Sequence, residues 1–463
     1  MKKIAHHTWM LLMGVLTIIA LLTSCAPPAI PTKAPQPSPA EQTQSLAAEN
    51  EVAEAPLQEV ITITYFSHRF TEKPYGDVMR AQIAKFEELY PQYKVEPIES
   101  PTNEAPQKLS TLMLGGTPPD LIFGGSNAGM FRAQGFFANL EPFIAKEDAG
   151  FTDRWPEFAR KWGEDPETGD MYIIPAESKF WTININADIV KEKGFEIPAD
   201  GKWTYDEFIE ACDTYFTDTD AQNYCYGNYG YGSDAQAWVV GEWMIANGGS
   251  YWGFNETCTE INLNTPENIE AIRRYVDLGV KGYQPPGYVE RNGSDHYRVA
   301  AEGTVAMFMT HLGGQANALT LSGGTISAFI PVFTPGDVQK PSLYSEGFGI
   351  GKDAQNAEAA WVLLKWLMED EQQIERMKGQ GTLPATTAAL EQVGSVDPTK
   401  LFWTNDLHKN SGFVCWDSSP HYSEGSKLEN DALTRLYNGE SIEEVLPELE
   451  TKLKELFFSE QSD

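Results

Sequence analysis

The chain has 463 residues, with 66 acidic against 34 basic side chains and a formal charge of −32. That surplus excludes a nucleic-acid partner, which needs basic patches to replace phosphate counterions, and it opposes adsorption to anionic lipid. With 12 Trp, 19 Tyr and 23 Phe, most aromatics must build cores, leaving a minority to line a ligand cleft.

The N-terminus carries Lys2 and Lys3, an apolar run over residues 9–22 and then Leu22-Thr23-Ser24-Cys25. A basic start, a short apolar stretch and small residues before a cut site make a secretory signal peptide. The run is too short to span a bilayer, which takes about 20 apolar residues. Leu-Thr-Ser-Cys looks like a bacterial lipobox, so residues 1–25 read as a lipoprotein signal and Cys25 as the lipidated mature N-terminus. Residues 26–57 are rich in Pro, Ala, Gln, Ser and Thr, with Pro27, Pro28, Pro31, Pro35, Pro37 and Pro39 closely spaced. Such a stretch cannot offset its ordering entropy by burial and predicts a disordered tether. The remaining body of roughly 400 residues is too long for one simple core and predicts two lobes.

The body opens on a β-branched strand, Val60-Ile61-Thr62-Ile63-Thr64-Tyr65-Phe66. Met79, Ile83, Phe86 and Tyr90 then share one face of a helix that Pro91 ends, and Lys94 to Ile98 make a second strand. Strand, helix, strand favours a parallel pair with a crossover helix, so the fold class is α/β. Another helix closes at Leu114, and Asp120-Leu121-Ile122-Phe123 is a short buried strand. Residues 171–186 read as extended chain. Thr204 and Glu207 form a predicted capping box, and Thr265 with Pro266 opens another helix. Residues 303–309 make a strand, 357–377 one long helix with Trp361, Leu364, Trp366 and Leu367 on its apolar side, and 442–458 a last helix. No internal repeat is present, which disfavours a repetitive adhesin.

Four cysteines follow the lipobox: Cys212, Cys225, Cys258 and Cys415. Outside the cytoplasm they permit two disulfides in three connectivities. A local Cys212–Cys225 bridge with Cys258–Cys415 is the favoured pairing, and free buried thiols are the alternative.

Taken together, the segments from Gln58 to Phe458 resemble the sugar-type extracellular solute-binding proteins of ABC importers (family 1, the maltose-binding-like group). The resemblance rests on Phe86-Glu87-Glu88-Leu89-Tyr90-Pro91, Gly115-Gly116-Thr117-Pro118-Pro119-Asp120-Leu121-Ile122 and Gln134-Gly135-Phe136-Phe137-Ala138-Asn139-Leu140. It continues through Tyr172-Ile173-Ile174-Pro175 with Ile185-Asn186-Ala187-Asp188, Ala246-Asn247-Gly248-Gly249, Gly303-Thr304-Val305-Ala306-Met307 and Gly347-Phe348-Gly349-Ile350-Gly351-Lys352. Each piece is weak alone; their number, order and spacing carry the match.

The resemblance implies a two-lobe, periplasmic-binding-protein-like α/β fold with a cleft between lobes and crossings near Ser178, Glu346 and Asn410. The lobes would be residues 58–178 with 347–410, and 179–346 with 411–463. It implies a sugar ligand, an ABC permease partner, membrane attachment through Cys25, a monomer, no cofactor and no enzymatic activity. Ligand contacts would come from Ser67, His68, Arg69, Ser126 and Asn127 in the first lobe, and from Glu177, Lys179 and Trp181 at the first crossing. Gln236, Trp238, Thr310 and His311 would serve from the second lobe, with Tyr344, Glu346, Trp416 and Asp417 at the later crossings. One departure stands out: many relatives have an aromatic soon after the 303–309 strand, whereas this chain reads Thr310-His311-Leu312-Gly313-Gly314.

Other functions find less support. A glycoside hydrolase needs two carboxylates across a scissile bond, and carboxylate counting alone does not exclude it. However, Gly124-Gly125-Ser126-Asn127-Ala128 lacks the last glycine of a nucleophile elbow, and His68, His296, His311, His408 and His421 are too scattered for a zinc site. A binding protein for polyamines, phosphorylated glycerol or metal chelates is the nearer alternative. A phosphorylated ligand would call for clustered Arg or Lys, and only Arg69 and Lys179 stand near the expected cleft.

Overall fold

A computed structural model describes residues 60–458 apart from 102–103, 166–167, 217–222, 231–234, 256–257, 292, 339–340, 398–401, 403, 405–411, 414–415, 417–418 and 420. Cys25, the tether, Cys415, Asp417 and the expected crossing at Asn410 lie outside the described residues, as does the side chain of Ser126.

Among the described residues eleven strands form two sheets. In chain order they are β1 (Ile61–Ser67), β2 (Tyr93–Glu99), β3 (Leu121–Phe123), β4 (Ile174–Phe180), β5 (Thr182–Asn186), β6 (Tyr224–Gly227), β7 (Val305–Thr310), β8 (Phe329–Val332), β9 (Ser342–Ile350), β10 (Leu383–Pro384) and β11 (Gly412–Phe413). The first sheet runs β10-β4-β9-β3-β1-β2, with β11 beside the start of β9, and the second runs β6-β7-β5-β8. As the strand-helix-strand pattern predicts, β1 pairs in parallel with β2 across helix Tyr75–Leu89, which buries Met79, Ile83 and Phe86.

The chain leaves the first sheet after Phe180 and enters the second at Thr182, so Trp181 stands at the passage. It returns between β8 and β9, rejoining the first sheet at Ser342, ahead of the expected crossing at Glu346. The reason is the length of β9, which pairs with β4 from Leu343 to Phe348 and with β3 from Phe348 to Ile350. Glu177 faces Glu346 and Ser178 faces Ser345 across that antiparallel pair.

Each sheet has its own core. The first gathers Ile63, Phe86, Leu121, Ile174, Trp361 and Trp366, and the second Ile183, Phe208, Trp243, Trp252, Tyr275 and Leu446. Helix Tyr422–Tyr437 and helix Ile442–Phe458 contribute Leu433, Leu449 and Leu453 to the second core. The predicted capping box at Thr204 and Glu207 is formed, and Thr265 caps the helix that Pro266 begins.

One predicted helix is two. Residues 357–377 divide into Ala357–Leu367 and Asp370–Gln380, with Glu369 extended between them. Side chains take up the carbonyls that the break frees. Arg376 Nη1 donates to Leu367 O at 2.7 Å, while Arg154 and Gln373 donate to Met368 O. The periodicity of apolar residues persists through the break, which is why pattern alone reads one helix.

Cys212 and Cys225 are bonded, with Cα atoms 5.4 Å apart. Cys258 is also disulfide-bonded, its expected partner Cys415 lying outside the described residues. The Cys212–Cys225 bridge closes a short loop, and loop-entropy arguments give about 3 kcal/mol for such a closure. Cys212→Ser is therefore expected to lower the denaturation free energy by about that amount, read from urea unfolding under non-reducing conditions.

Candidate functional site

Three loops that the sequence nominates converge where β4 and β9 pair. Ser67 ends β1 and accepts a hydrogen bond from Arg69 N at 3.1 Å, which turns the chain into the short helix His68–Thr71 and aims Arg69 inward. Arg69 is buried and bridges two carboxylates on neighbouring strands. Nη1 donates to Glu177 Oε2 at 2.7 Å, and Nη2 donates to Glu177 Oε1 and to Glu346 Oε2. Lys179, next along the same edge of β4, donates to Glu346 Oε1 and stands 3.4 Å from Glu177 Oε1. Two cations and two carboxylates thus form a closed, neutral square.

Burial alone would raise the Glu346 carboxyl, but Arg69 first and then Lys179 outweigh it and hold it well below the ordinary carboxylate range. Burial likewise opposes the Arg69 charge, and Glu177 followed by Glu346 overcomes it, so the guanidinium stays protonated. The Arg69 guanidinium lies 4.6 Å from the ring centres of both Tyr75 and Phe123. His68 packs against the loop after β3, where a Cβ at Gly125, whose φ is +55°, would fall 2.8 Å from His68 Cε1. Asn127, in that same loop, is half-buried.

On the second sheet's side, Trp181 meets Tyr229 and His311 edge-on, with ring centres 5.6 and 5.4 Å away, and Tyr344 at 6.3 Å. Thr310 ends β7, its hydroxyl 3.4 Å from that of Tyr229, which is hydrogen-bonded to the Tyr297 hydroxyl at 2.7 Å. His311 caps helix Leu312–Leu321, accepting at Nδ1 from Gly314 N. Burial, then Lys179, pushes His311 far below its ordinary value, so its imidazole is neutral and suited to that acceptor role.

The nominated residues do not all reach this seam. Gln236 donates to the Tyr275 hydroxyl inside the second core. Trp238 packs on Tyr344 with ring centres 4.5 Å apart, meets Trp416 edge-on at 5.1 Å and donates to the Tyr422 hydroxyl. Trp238 and Trp416 therefore form a buried layer beneath Tyr344. Tyr75, Tyr229 and Tyr297 belong to the seam but escape sequence reasoning: Tyr75 opens a helix otherwise read for its apolar face, and the other two sit among polar neighbours without a pattern. Among the described residues no group of three or more His, Cys, Asp or Glu could hold a metal ion, and no helix is long and apolar enough to cross a membrane.

The helix of Trp238 also carries a buried charged residue that sequence pattern does not mark. Glu242, one helical turn beyond Trp238, is buried and accepts from Ser342 N at 3.1 Å. Burial raises its carboxyl to about 8, with the Ser342 contacts offsetting part of the rise.

Two α/β layers joined by passing strands, with a neutral ionic square and an aromatic wall between them, define a two-lobe binding protein of the periplasmic type. The chain belongs to the bacterial extracellular solute-binding protein family, which matches residues 71–374. Solved structures with the same fold include an ABC transporter solute-binding protein from Thermotoga lettingae bound with α-D-tagatose, at TM-score 0.73 and 20% identity over 86% of this chain and 100% of that one. An ABC substrate-binding protein from Listeria monocytogenes in complex with cycloalternan matches at TM-score 0.70 and 20% identity, covering 86% and 99%. A maltose-bound protein of T. maritima matches at TM-score 0.70 and 17% identity, covering 85% and 99%.

Two outcomes follow. Arg69→Met leaves Glu177 and Glu346 side by side with Lys179 alone between them, so unfolding free energy should fall by about 3–5 kcal/mol, the usual cost of breaking a buried pair. Arg69→Lys should recover little, because an ammonium lacks the planar fork that spans both carboxylates. For Glu242 the folded value is raised, so its contribution to stability is full below the ordinary glutamate value and declines as pH rises toward about 8. Glu242→Gln removes that decline. Its melting temperature should gain on the parent's from pH 5 to pH 8, a difference on the order of 3 kcal/mol near neutrality.

Proposed function

We propose that this protein captures a neutral sugar, mono- or oligosaccharide, between its two lobes and delivers it to the permease of an ABC importer. It works from the outer face of the cytoplasmic membrane, anchored through lipidated Cys25 as a monomer, and acts by binding alone without a cofactor. The lobes would be residues 58–178 with 347–410 and 179–346 with 411–463. That division is supported by two separate apolar cores, one drawn from residues 63–176 and 348–385 and the other from residues 181–344 and 416–453.

The observation that carries the reading is the electrostatic character of the seam. Arg69 and Lys179 are both committed to Glu177 and Glu346, and Arg376, beside Glu177, donates to the Leu367 and Ala176 carbonyls, so among the described residues the seam offers no free cation for a phosphate and no net negative charge for a polyamine. What it does offer is planar faces and polar tips. Trp181, Tyr229, Tyr297 and Tyr344 present rings, and the Trp181 Nε1 and Tyr344 hydroxyl have no hydrogen-bond partner among the described residues. Rings cover the C–H faces of a sugar while scattered donors meet its hydroxyls. The ligands of the structural neighbours, tagatose, cycloalternan and maltose, are of this class.

A thermal-shift screen against mono- and oligosaccharides, spermidine and glycerol 3-phosphate tests the proposal. A ligand that binds only the folded state raises the melting temperature by mass action, and a sugar should do so. A shift with spermidine or glycerol 3-phosphate and none with sugars would replace the sugar by that solute. With the sugar in hand, Trp181→Ala should weaken its affinity by about 5- to 150-fold, as expected for loss of a buried aromatic contact.

A further inference from the structure

The first turn of helix Leu312–Leu321 belongs to the second lobe, yet its nearest neighbours include the first. A Cβ at Gly313 would collide with the Tyr75 hydroxyl, so the tyrosine tip lies directly on the glycine backbone. Nearby, Gly381, whose φ is +71°, would place a Cβ 3.0 Å from Ala316 Cβ and 3.5 Å from Gly313 Cα. Leu312 completes the contact from the other direction, sharing an apolar cluster with Ile374, Met377 and Leu383. Helix Tyr75–Leu89 and helix Asp370–Gln380 are packed on one another in the first lobe through Gln82 and Gln372, and Gln380 Nε2 donates to Tyr75 O at 3.2 Å.

We propose that Tyr75, Met377 and Gly381 form a socket on the first lobe for the Leu312-Gly313-Gly314 turn of the second, and that Tyr75 is a positioning residue for closure. The proposal rests on the two-lobe binding reading and adds the contact that sets how readily the lobes close. Tyr75 is well placed for this. Its ring lies against the Arg69 guanidinium, so its position is fixed by the ionic square, while its hydroxyl touches the turn that begins just after Thr310 and His311. Gly313 lies in helical conformation rather than at positive φ, so the missing side chain serves close approach and not backbone freedom. Rotating one lobe about the passing strands would separate Tyr75 from Gly313, because the two sit on different sheets' layers. Closure therefore gains or loses free energy at this contact independently of any ligand, and ligand affinity moves with it, since a binding-competent state that is less populated binds more weakly in proportion.

The test reads lobe separation without ligand, so it does not depend on whether the solute is a sugar. Nitroxide labels on Leu114→Cys and Val280→Cys, at positions 84% and 70% exposed on opposite lobes, report the distance distribution by pulsed electron resonance. Gly313→Ala should shift the population toward longer distances, lowering the closed-to-open ratio by about tenfold, within the range for one intruding methyl group. Adding Tyr75→Phe removes the hydroxyl that the methyl meets and should restore the parent distribution. A merely local packing defect at Gly313 would not be rescued from the other lobe. An unchanged distribution in Gly313→Ala, or a shift that Tyr75→Phe leaves in place, overturns the proposal. If Gly313→Ala fails to fold, Ala316→Leu, on the half-buried side of the same helix facing Gly381, should produce the same lengthening, and no change there is equally fatal.

Discussion

The site depends on one arrangement: two glutamates held side by side on adjacent antiparallel strands at the junction of the lobes. Glu177 and Glu346 are register partners in the interior, where like charges repel far more than in water and each ion loses its hydration. Such a pair is tolerable only with cations between its members. Arg69 supplies a fork that reaches both, and Lys179 closes the remaining side. The square is therefore a constraint on chain path. β1 must end at Ser67 so that its loop delivers Arg69, and β4 and β9 must keep a register that leaves both carboxylates within the fork's span. A one-residue slip of either strand would turn its glutamate to the opposite face of the sheet.

From that constraint the rest of the site follows in layers. Arg69 lies against the Tyr75 and Phe123 rings on the first lobe, so fixing the guanidinium also fixes the wall around it. Beyond β4 the chain passes through Trp181 into the second sheet, and Trp181 meets His311 and Tyr344. Below Tyr344 lie Trp238 and Trp416, and the buried carboxyl of Glu242, on the helix of Trp238, accepts from Ser342 N at the start of β9. Polar groups committed to one another occupy the first sheet's side, and aromatic faces occupy the second's. This division suits a ligand with both a hydroxyl edge and an apolar face.

Legibility in the sequence tracks how local each feature is. Strands β1 to β3 and the capping box at Thr204 depend on nearby residues and can be read directly, and the local Cys212–Cys225 bridge is favoured by its short span though free thiols remain an alternative in the sequence. Helix 357–377 is misread because its break is held by Arg376, Arg154 and Gln373, and Arg154 lies far back in the chain. The same holds for the site. Ser67, His68 and Arg69 are recoverable because they end or follow a strand that the pattern reveals, and Glu177, Lys179 and Glu346, inside β4 and β9, because the resemblance places chain crossings there, though nothing in the pattern says that they pair with one another. Gln236 sits on the expected helix but turns into the core toward Tyr275. That orientation is a matter of helical phase, which a hydrophobic run such as Ala237-Trp238-Val239-Val240 cannot specify, being apolar all round.

The departure at Thr310-His311-Leu312-Gly313-Gly314 gains a physical sense from this geometry. Where an aromatic would occupy the space in front of the helix, this chain places two glycines, and a side chain from each direction fills the room they leave. Tyr75 approaches Gly313 from the first lobe, while Thr310 and Tyr297 crowd Gly314 from the second. Of the two rings facing this turn, that of Tyr75 is thus contributed across the seam, beside that of Tyr297 from the second lobe. An aromatic supplied in that way is present only when the lobes meet, so at this position the surface available to a ligand and the degree of closure are the same variable. A residue such as Tyr75 then acts on affinity through the population of the closed form as well as through any direct contact, and the two effects carry the same sign.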